Sequence, residues 1–259
     1  MNGPVAKLWL ARPEVHNAIN GLMIRELSSF FTQIEENDEI RIVMLRGKGK
    51  SFCAGADLTW MKNGFTLSEQ ENLRESEELS AMFRLIYHCS KITVAVAHGN
   101  IFGGGNGLIA VCDLAYCVNS SKFCLSETRL GLAAASITPY LLKKMAASDL
   151  KELIFTAKNY YGEEAVKYGL LNRAFASAEE LDLYLNGILE QMLGNGKEAI
   201  IESKRLINRL VDHGADSEME NIPGLLAKIR ISKEAQEGFS AFLEKRKPNW
   251  LIQKAISDK

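Results

Sequence analysis

The chain of 259 residues lacks the features that would place it in several functional classes. Its five cysteines, Cys53, Cys89, Cys112, Cys117 and Cys124, include no C-x-x-C pair. An odd count without that pair argues against a disulfide framework or a zinc site and suits a reducing cytoplasm. The four histidines are scattered, none spaced H-x-x-x-H, so no metal is expected. Lysine and arginine (31) nearly balance aspartate and glutamate (32), and a net charge of -1 gives no electrostatic case for nucleic acid or an anionic membrane. No apolar run approaches the roughly 20 residues of a membrane span. Met1-Asn2-Gly3-Pro4 carries no basic region leading into an apolar stretch, so no signal peptide is expected. The glycine-rich stretch is not G-x-G-x-x-G, and no Gly-Lys-Ser/Thr follows it, so neither a dinucleotide fingerprint nor a phosphate loop is indicated. Tandem repeats and low-complexity tracts are missing too.

What is present is an ordinary globular composition, 47% hydrophobic and 24% charged, in a chain long enough for one large domain with a helical appendage. Val5 to Leu10 reads as a strand, and Met23, Leu27, Phe30, Phe31 and Ile34 recur at helical spacing. Ile40 to Leu45 is nearly all apolar, as for a parallel strand covered on both faces. Ser68 and Glu71 form a capping-box pattern before a helix that carries Leu79, Met82, Phe83 and Ile86. Strands follow at Ile92, Leu114 to Val118 and Lys122 to Leu125, with a short buried helix near Gly107 to Val111. This alternation predicts an α/β arrangement with parallel strands. Beyond Pro139 helices dominate: Tyr140 to Ala146, Lys151 to Thr156, Glu163 to Tyr168, Glu179 to Leu193 and Lys197 to Val211. A last one has Ala235, Phe239, Phe242 and Leu243 on one face, and a short strand is expected near Leu171 to Phe175.

Two stretches suggest chemistry. Phe52-Cys53-Ala54-Gly55-Ala56-Asp57-Leu58 and Gly99-Asn100-Ile101-Phe102-Gly103-Gly104-Gly105-Asn106-Gly107 each form a small-residue turn between a predicted strand and a predicted helix. Such residues leave backbone N–H groups uncovered, and two facing turns make a donor pair for a developing oxyanion. Glu127 ends an apolar strand ahead of Ala133-Ala134-Ala135-Ser136. A carboxylate there is either a helix N-terminal charge or an acid/base in a partly dry pocket.

Taken with Cys112-Asp113, Ser126-Glu127 and Gly131-Leu132, these stretches resemble the enoyl-CoA hydratase/isomerase (crotonase) superfamily. The likeness runs from Arg12-Pro13 and Asn17-Ala18 to Gly238 and Ala241-Phe242-Leu243-Glu244-Lys245-Arg246-Lys247-Pro248. Within it, Cys53, Asp57-Leu58-Thr59-Trp60-Met61, Leu125-Ser126-Glu127 and Pro139-Tyr140 are most similar to bacterial 3-methylglutaconyl-CoA hydratases. The resemblance implies a ββα spiral core over residues 1–195 that holds the acyl-CoA site. Residues 196–259 would be a helical region for trimer contacts, two trimers often stacking into a hexamer. It implies an enzyme with no cofactor, coenzyme A being part of the substrate, and the cysteine usage places that enzyme in the cytoplasm. The thioester oxygen would sit between the N–H groups of Ala56 and Gly104, with Glu127 as acid/base. Val15, Ala18, Ala54, Asp57, Leu58 and Gly103 would line the CoA path, and Phe242 and Lys245 would reach the nucleotide of a neighbouring subunit.

The best-known hydratases carry a second glutamate where this chain has Gly107. Glu127 must then do both tasks, or Asn106 or Tyr140 must hold the water. Three activities remain: hydration, Δ3,Δ2-enoyl-CoA isomerisation, and acyl-CoA binding without catalysis. Arg129 is a candidate partner for a charged acyl tail.

Overall fold

The structure, a computed structural model, describes residues 3–251. Strands β1 (Val5–Leu10), β2 (Ile42–Gly47), β3 (Ser51–Cys53), β4 (Ile92–Ala97), β5 (Asn100–Phe102), β6 (Leu114–Val118), β7 (Lys122–Cys124), β8 (Tyr160–Tyr161) and β9 (Arg173–Phe175) form two sheets. The larger sheet has the order β1-β2-β4-β6-β9 and is parallel throughout. The smaller has the order β3-β5-β7-β8, with only the last pair antiparallel. Each of β2, β4 and β6 runs directly into a strand of the small sheet, giving the ββα spiral that the resemblance implied. Because β3, β5 and β7 pair side by side, the segments that leave them are neighbours as well.

The helices are α1 (Gly21–Glu35), α2 (Leu58–Gly64), α3 (Glu69–His88), α4 (Gly104–Ala110), α5 (Thr138–Leu141), α6 (Ala147–Thr156), α7 (Gly162–Lys167) and α8 (Ala178–Gly194). Helix α1 starts where the Asn20 side chain accepts the Met23 N–H, and it buries Met23, Leu27, Phe31 and Ile34 of the stripe read from spacing, Phe30 being only partly buried. The Ser68–Glu71 capping box forms at the start of α3, which buries Met82, Phe83 and Ile86. The helix predicted at Tyr140 to Ala146 is instead the single turn of α5. The core joins these helices to β2, β4 and the α4 segment, and all five cysteines are buried free thiols within the protein.

The chain divides within α8 into two compact units, Met1–Tyr184 and Leu185–Lys259; the sequence-based limit at 195/196 falls just past the end of that helix. The second unit contains α9 (Lys197–His213), α10 (Ala215–Glu218), α11 (Ile222–Arg230) and α12 (Lys233–Leu243). Its α9 is capped by Glu234, whose carboxylate accepts the N–H groups of Glu198 and Ala199 at 3.0 and 2.9 Å. No described helix is long and apolar enough to cross a membrane.

Candidate active site

The turn after β3 is held by its flanks and leaves its centre uncommitted. Ile19 donates to the Gly55 oxygen at 2.7 Å and accepts from the Asp57 N–H at 2.8 Å. These two bonds straddle Ala56, as in a parallel bridge, so the Ala56 N–H points away from Ile19 and has no partner among the described residues. Asp57 is the N-cap of α2, one carboxylate oxygen accepting from Thr59 and Trp60 and the other from Arg12 at 2.8 Å. Burial alone would raise its pKa, but Arg12 and the two amides outweigh that and hold the carboxyl below its ordinary range.

The second turn is built on conformations that a side chain would forbid. Gly103 has φ 46° and ψ -119°, and a Cβ on Gly105 would lie 2.4 Å from the Cys53 oxygen. That close approach seats the glycine turn directly on the end of β3. Gly104 opens α4, so its N–H is one of the orphan donors of a first helical turn, again unpartnered among the described residues.

Glu127 arrives from β7, at the head of a short 3-10 turn, Glu127–Leu130. Its Oε1 lies 3.0 Å from where a Cβ on Gly103 would be, so the carboxyl rests against the glycine turn. Its Oε2 is buried and accepts no hydrogen bond among the described residues. Desolvation by burial raises its pKa above the ordinary carboxyl value, a bond to its own backbone offsetting part of the effect. A carboxyl perturbed in this way suits proton transfer nearer neutral pH than a solvated one.

Ala54, Ala56, Gly103, Gly104 and Glu127 line one cavity of about 370 Å³. Its remaining wall is mostly apolar, including Met61, Leu79, Phe83, Leu132 and Ile137, together with Ser76, Ser126 and Ser136. A second cavity of about 430 Å³ shares Trp60, Met61, Ser76, Leu79 and Leu132 with the first. Among the described residues, the charged ones lining the two are Glu127 and Glu75, with no lysine or arginine.

The place of the absent second glutamate is filled. A Cβ on Gly107 would meet Ile137 Cγ2 at 2.2 Å and Phe83 Cε1 at 3.0 Å, so an apolar wall stands there. Neither suggested water holder lines the cavity. Asn106 is fully buried, and Tyr140 packs its ring against Phe83 and Tyr87 with centroids 6.2 and 5.4 Å away. Ser126 and Ser136 do line it, as does Trp60, whose indole N–H is buried without a partner among the described residues.

Of the other predicted residues, Leu58 lines the cavity and is 72% exposed. Val15 is exposed in the 3-10 turn Pro13–Val15, and Ala18 is buried with its carbonyl on Arg12; neither lines the cavity. Arg129 donates to the Ala157 oxygen at 2.5 Å and is not part of the lining. Phe242 is 78% exposed at the end of α12, and Lys245 follows with φ 53°, both in the C-terminal unit.

The sequence profile described as enoyl-CoA hydratase/isomerase matches residues 1–253. An enoyl-CoA hydratase of Alternaria alternata is 29% identical over 93% of this chain and 79% of its own length. The peroxisomal Delta(3,5)-Delta(2,4)-dienoyl-CoA isomerase of Arabidopsis thaliana is 29% identical over 95% of this chain and 92% of its own. The crystal structure of an enoyl-CoA hydratase from Shewanella pealeana superposes with a TM-score of 0.91 at 31% identity, covering 96% of this chain and 94% of that one.

Proposed function

This chain belongs to the enoyl-CoA hydratase/isomerase family, and within it we propose that it hydrates a trans-2-enoyl-CoA without a further cofactor. Glu127 is the acid/base, and the N–H groups of Ala56 and Gly104 are the oxyanion donors. As a carboxylate, Glu127 takes a proton from water while the water oxygen bonds to C3 of the substrate. The C2–C3 electron pair moves toward the thioester, whose oxygen gathers charge between the two amides. Glu127 then returns the proton to C2, so one water is consumed and the carboxylate is restored. One such donor is worth about 10²–10³ in rate in other enzymes. The observation that carries this reading is the one ionisable carboxyl among the described lining residues, one oxygen unpartnered, in the same cavity as two uncommitted backbone N–H groups.

A second reading rests on the wall at Gly107. A Δ3,Δ2-enoyl-CoA isomerase needs only one base, which moves a proton between C2 and C4, and Ile137 takes up the space of a second carboxylate. The resemblance favours 3-methylglutaconyl-CoA as substrate. Its distal carboxylate calls for a cation, however, and the absence of lysine and arginine from the described lining supports an uncharged tail. Val15, Ala18, Ala54, Asp57, Leu58 and Gly103 remain proposed CoA contacts, with Phe242 and Lys245 acting toward a neighbouring subunit. The exposed side chains of Ile207, Leu226 and Phe239 on the C-terminal helices support a trimer, or a hexamer of two trimers.

The test is a mass-resolved screen of enoyl-CoA thioesters that vary in chain length and tail charge, with wild type and Glu127→Gln. Hydration adds one water to the product, isomerisation leaves the mass unchanged, and Glu127→Gln lowers turnover by about 10²–10⁴. Wild-type protein that binds but turns over none of them is an acyl-CoA-binding protein instead.

A further inference from the structure

Beneath the glycine turn lies a buried polar pair that the proposed chemistry does not touch. Asn106 and Tyr160 are both 0% exposed. The Asn106 Nδ2 group lies 3.0 Å from the Cys124 oxygen and 3.3 Å from those of Gly103 and Ile101. Its Oδ1 accepts from the Tyr160 hydroxyl at 2.8 Å, and the Tyr160 ring is stacked on Phe123 at 5.3 Å. The hydroxyl therefore fixes which end of the amide faces the three carbonyls.

The Gly103 oxygen matters because it belongs to the same peptide group as the Gly104 N–H. In a trans peptide the C=O and N–H point in opposite directions. The Gly103 oxygen accepts from the Asn106 backbone N–H at 2.8 Å as well as from Nδ2, so anchoring it sets where the Gly104 N–H is aimed. With glycine on both sides, rotation of this peptide meets little steric resistance, and a rotated peptide would turn a carbonyl toward the cavity. The Cys124 oxygen accepts from Gly103 N–H at 2.9 Å and from Nδ2, which ties the turn to the strand that delivers Glu127 three residues later.

We propose that Asn106, oriented by Tyr160, is a positioning residue that locks the Gly103–Gly104 peptide with its N–H toward the substrate oxygen. It rests on the reading of Gly104 as an oxyanion donor. Without the lock, only a fraction of molecules present the donor, and turnover falls with that fraction.

The test uses the full-length protein and butyryl-CoA labelled with ¹³C at the thioester carbonyl, a saturated ligand that cannot react. In wild type, isotope-edited infrared or Raman spectra find the bound carbonyl stretch below that of free ligand. In Asn106→Ala most of that displacement disappears, kcat on crotonyl-CoA falls by about 10–10²-fold, and KM changes by less than threefold. Tyr160→Phe, which keeps the ring and removes only the hydroxyl, gives a partial loss of both. Glu127→Gln keeps the carbonyl displacement. If wild type displaces the carbonyl and Asn106→Ala retains both displacement and kcat, the lock is refuted while the oxyanion reading stands. No displacement in wild type overturns that reading and the lock with it. Where Asn106→Ala does not fold, Tyr160→Phe decides, and unchanged values in it refute the proposal.

Discussion

Replacing Gly107 with alanine asks whether the wall of Ile137 and Phe83 is fixed. The new methyl carbon would lie 2.2 Å from Ile137 Cγ2, 3.0 Å from Ile137 Cβ and 3.0 Å from Phe83 Cε1, against about 3.5–4.0 Å for a comfortable carbon–carbon contact. Ile137 is 3% exposed and Phe83 is fully buried, so neither can swing into solvent. Overpacking of this kind costs about 1–3 kcal/mol. The clash at Cγ2 argues for the upper part of that range, and the gain of alanine over glycine inside a helix returns about 1 kcal/mol. The net expectation is a loss of about 1–2 kcal/mol, or roughly 2–8 °C in thermal midpoint for a domain of this size. Scanning calorimetry at fixed protein concentration reads it. Ile137→Ala in the same chain removes Cγ2 and leaves only the 3.0 Å contacts, so the double variant should lose less than the sum of the two single ones. Gly107→Ala with a midpoint equal to wild type would show that Ile137 yields freely. The space for a second acidic side chain would then be available after all, and the argument for a one-carboxyl site would fail.

Two further expectations concern pH, with opposite signs. The folded pKa of Glu127 is raised by burial from its ordinary value of 4.5. Its ionisation therefore penalises folding increasingly as pH climbs from 4.5 through the folded pKa. Glu127→Gln should raise the thermal midpoint at neutral pH, with the advantage fading below pH 4.5; an advantage that persists in acid would contradict the assigned cause. Asp57 is the reverse case, its folded pKa held below 3.8, so its stabilisation is present above that value and disappears as pH falls through the folded pKa. Asp57→Asn should cost about 1–2 kcal/mol at neutral pH, since the bond to the partly exposed Arg12 loses its charge, and the gap to wild type should close in acid. Equal denaturation midpoints at pH 7 would remove the Arg12–Asp57 pair from the account.

What could be read from residue order was what neighbours decide. The α1 stripe, the Ser68–Glu71 cap and β1 depend on residues within a turn or two of one another, and each stands where spacing put it. The short strands β3, β5 and β8 span three, three and two residues, too few for any alternation to register. Pairing alone makes them strands. The same limit applies inside the site. The two amide-bearing turns are visible because an uncovered N–H needs small residues at set positions. Ile137 closing the space at Gly107 is a contact across 30 residues, and Tyr160 reaching Asn106 is one across 54. Neither leaves a local mark. In isolation Gly107 looks like a catalytic group deleted, and Asn106 like a polar side chain free to hold water. Once packed, the first is the footprint of a wall and the second has turned its amide toward three carbonyls beneath the turn. The chemistry of this site is therefore constrained as much by what fills the space around Glu127 as by Glu127 itself, and variants that reshape Ile137 or Tyr160 probe it more sharply than variants at the surface.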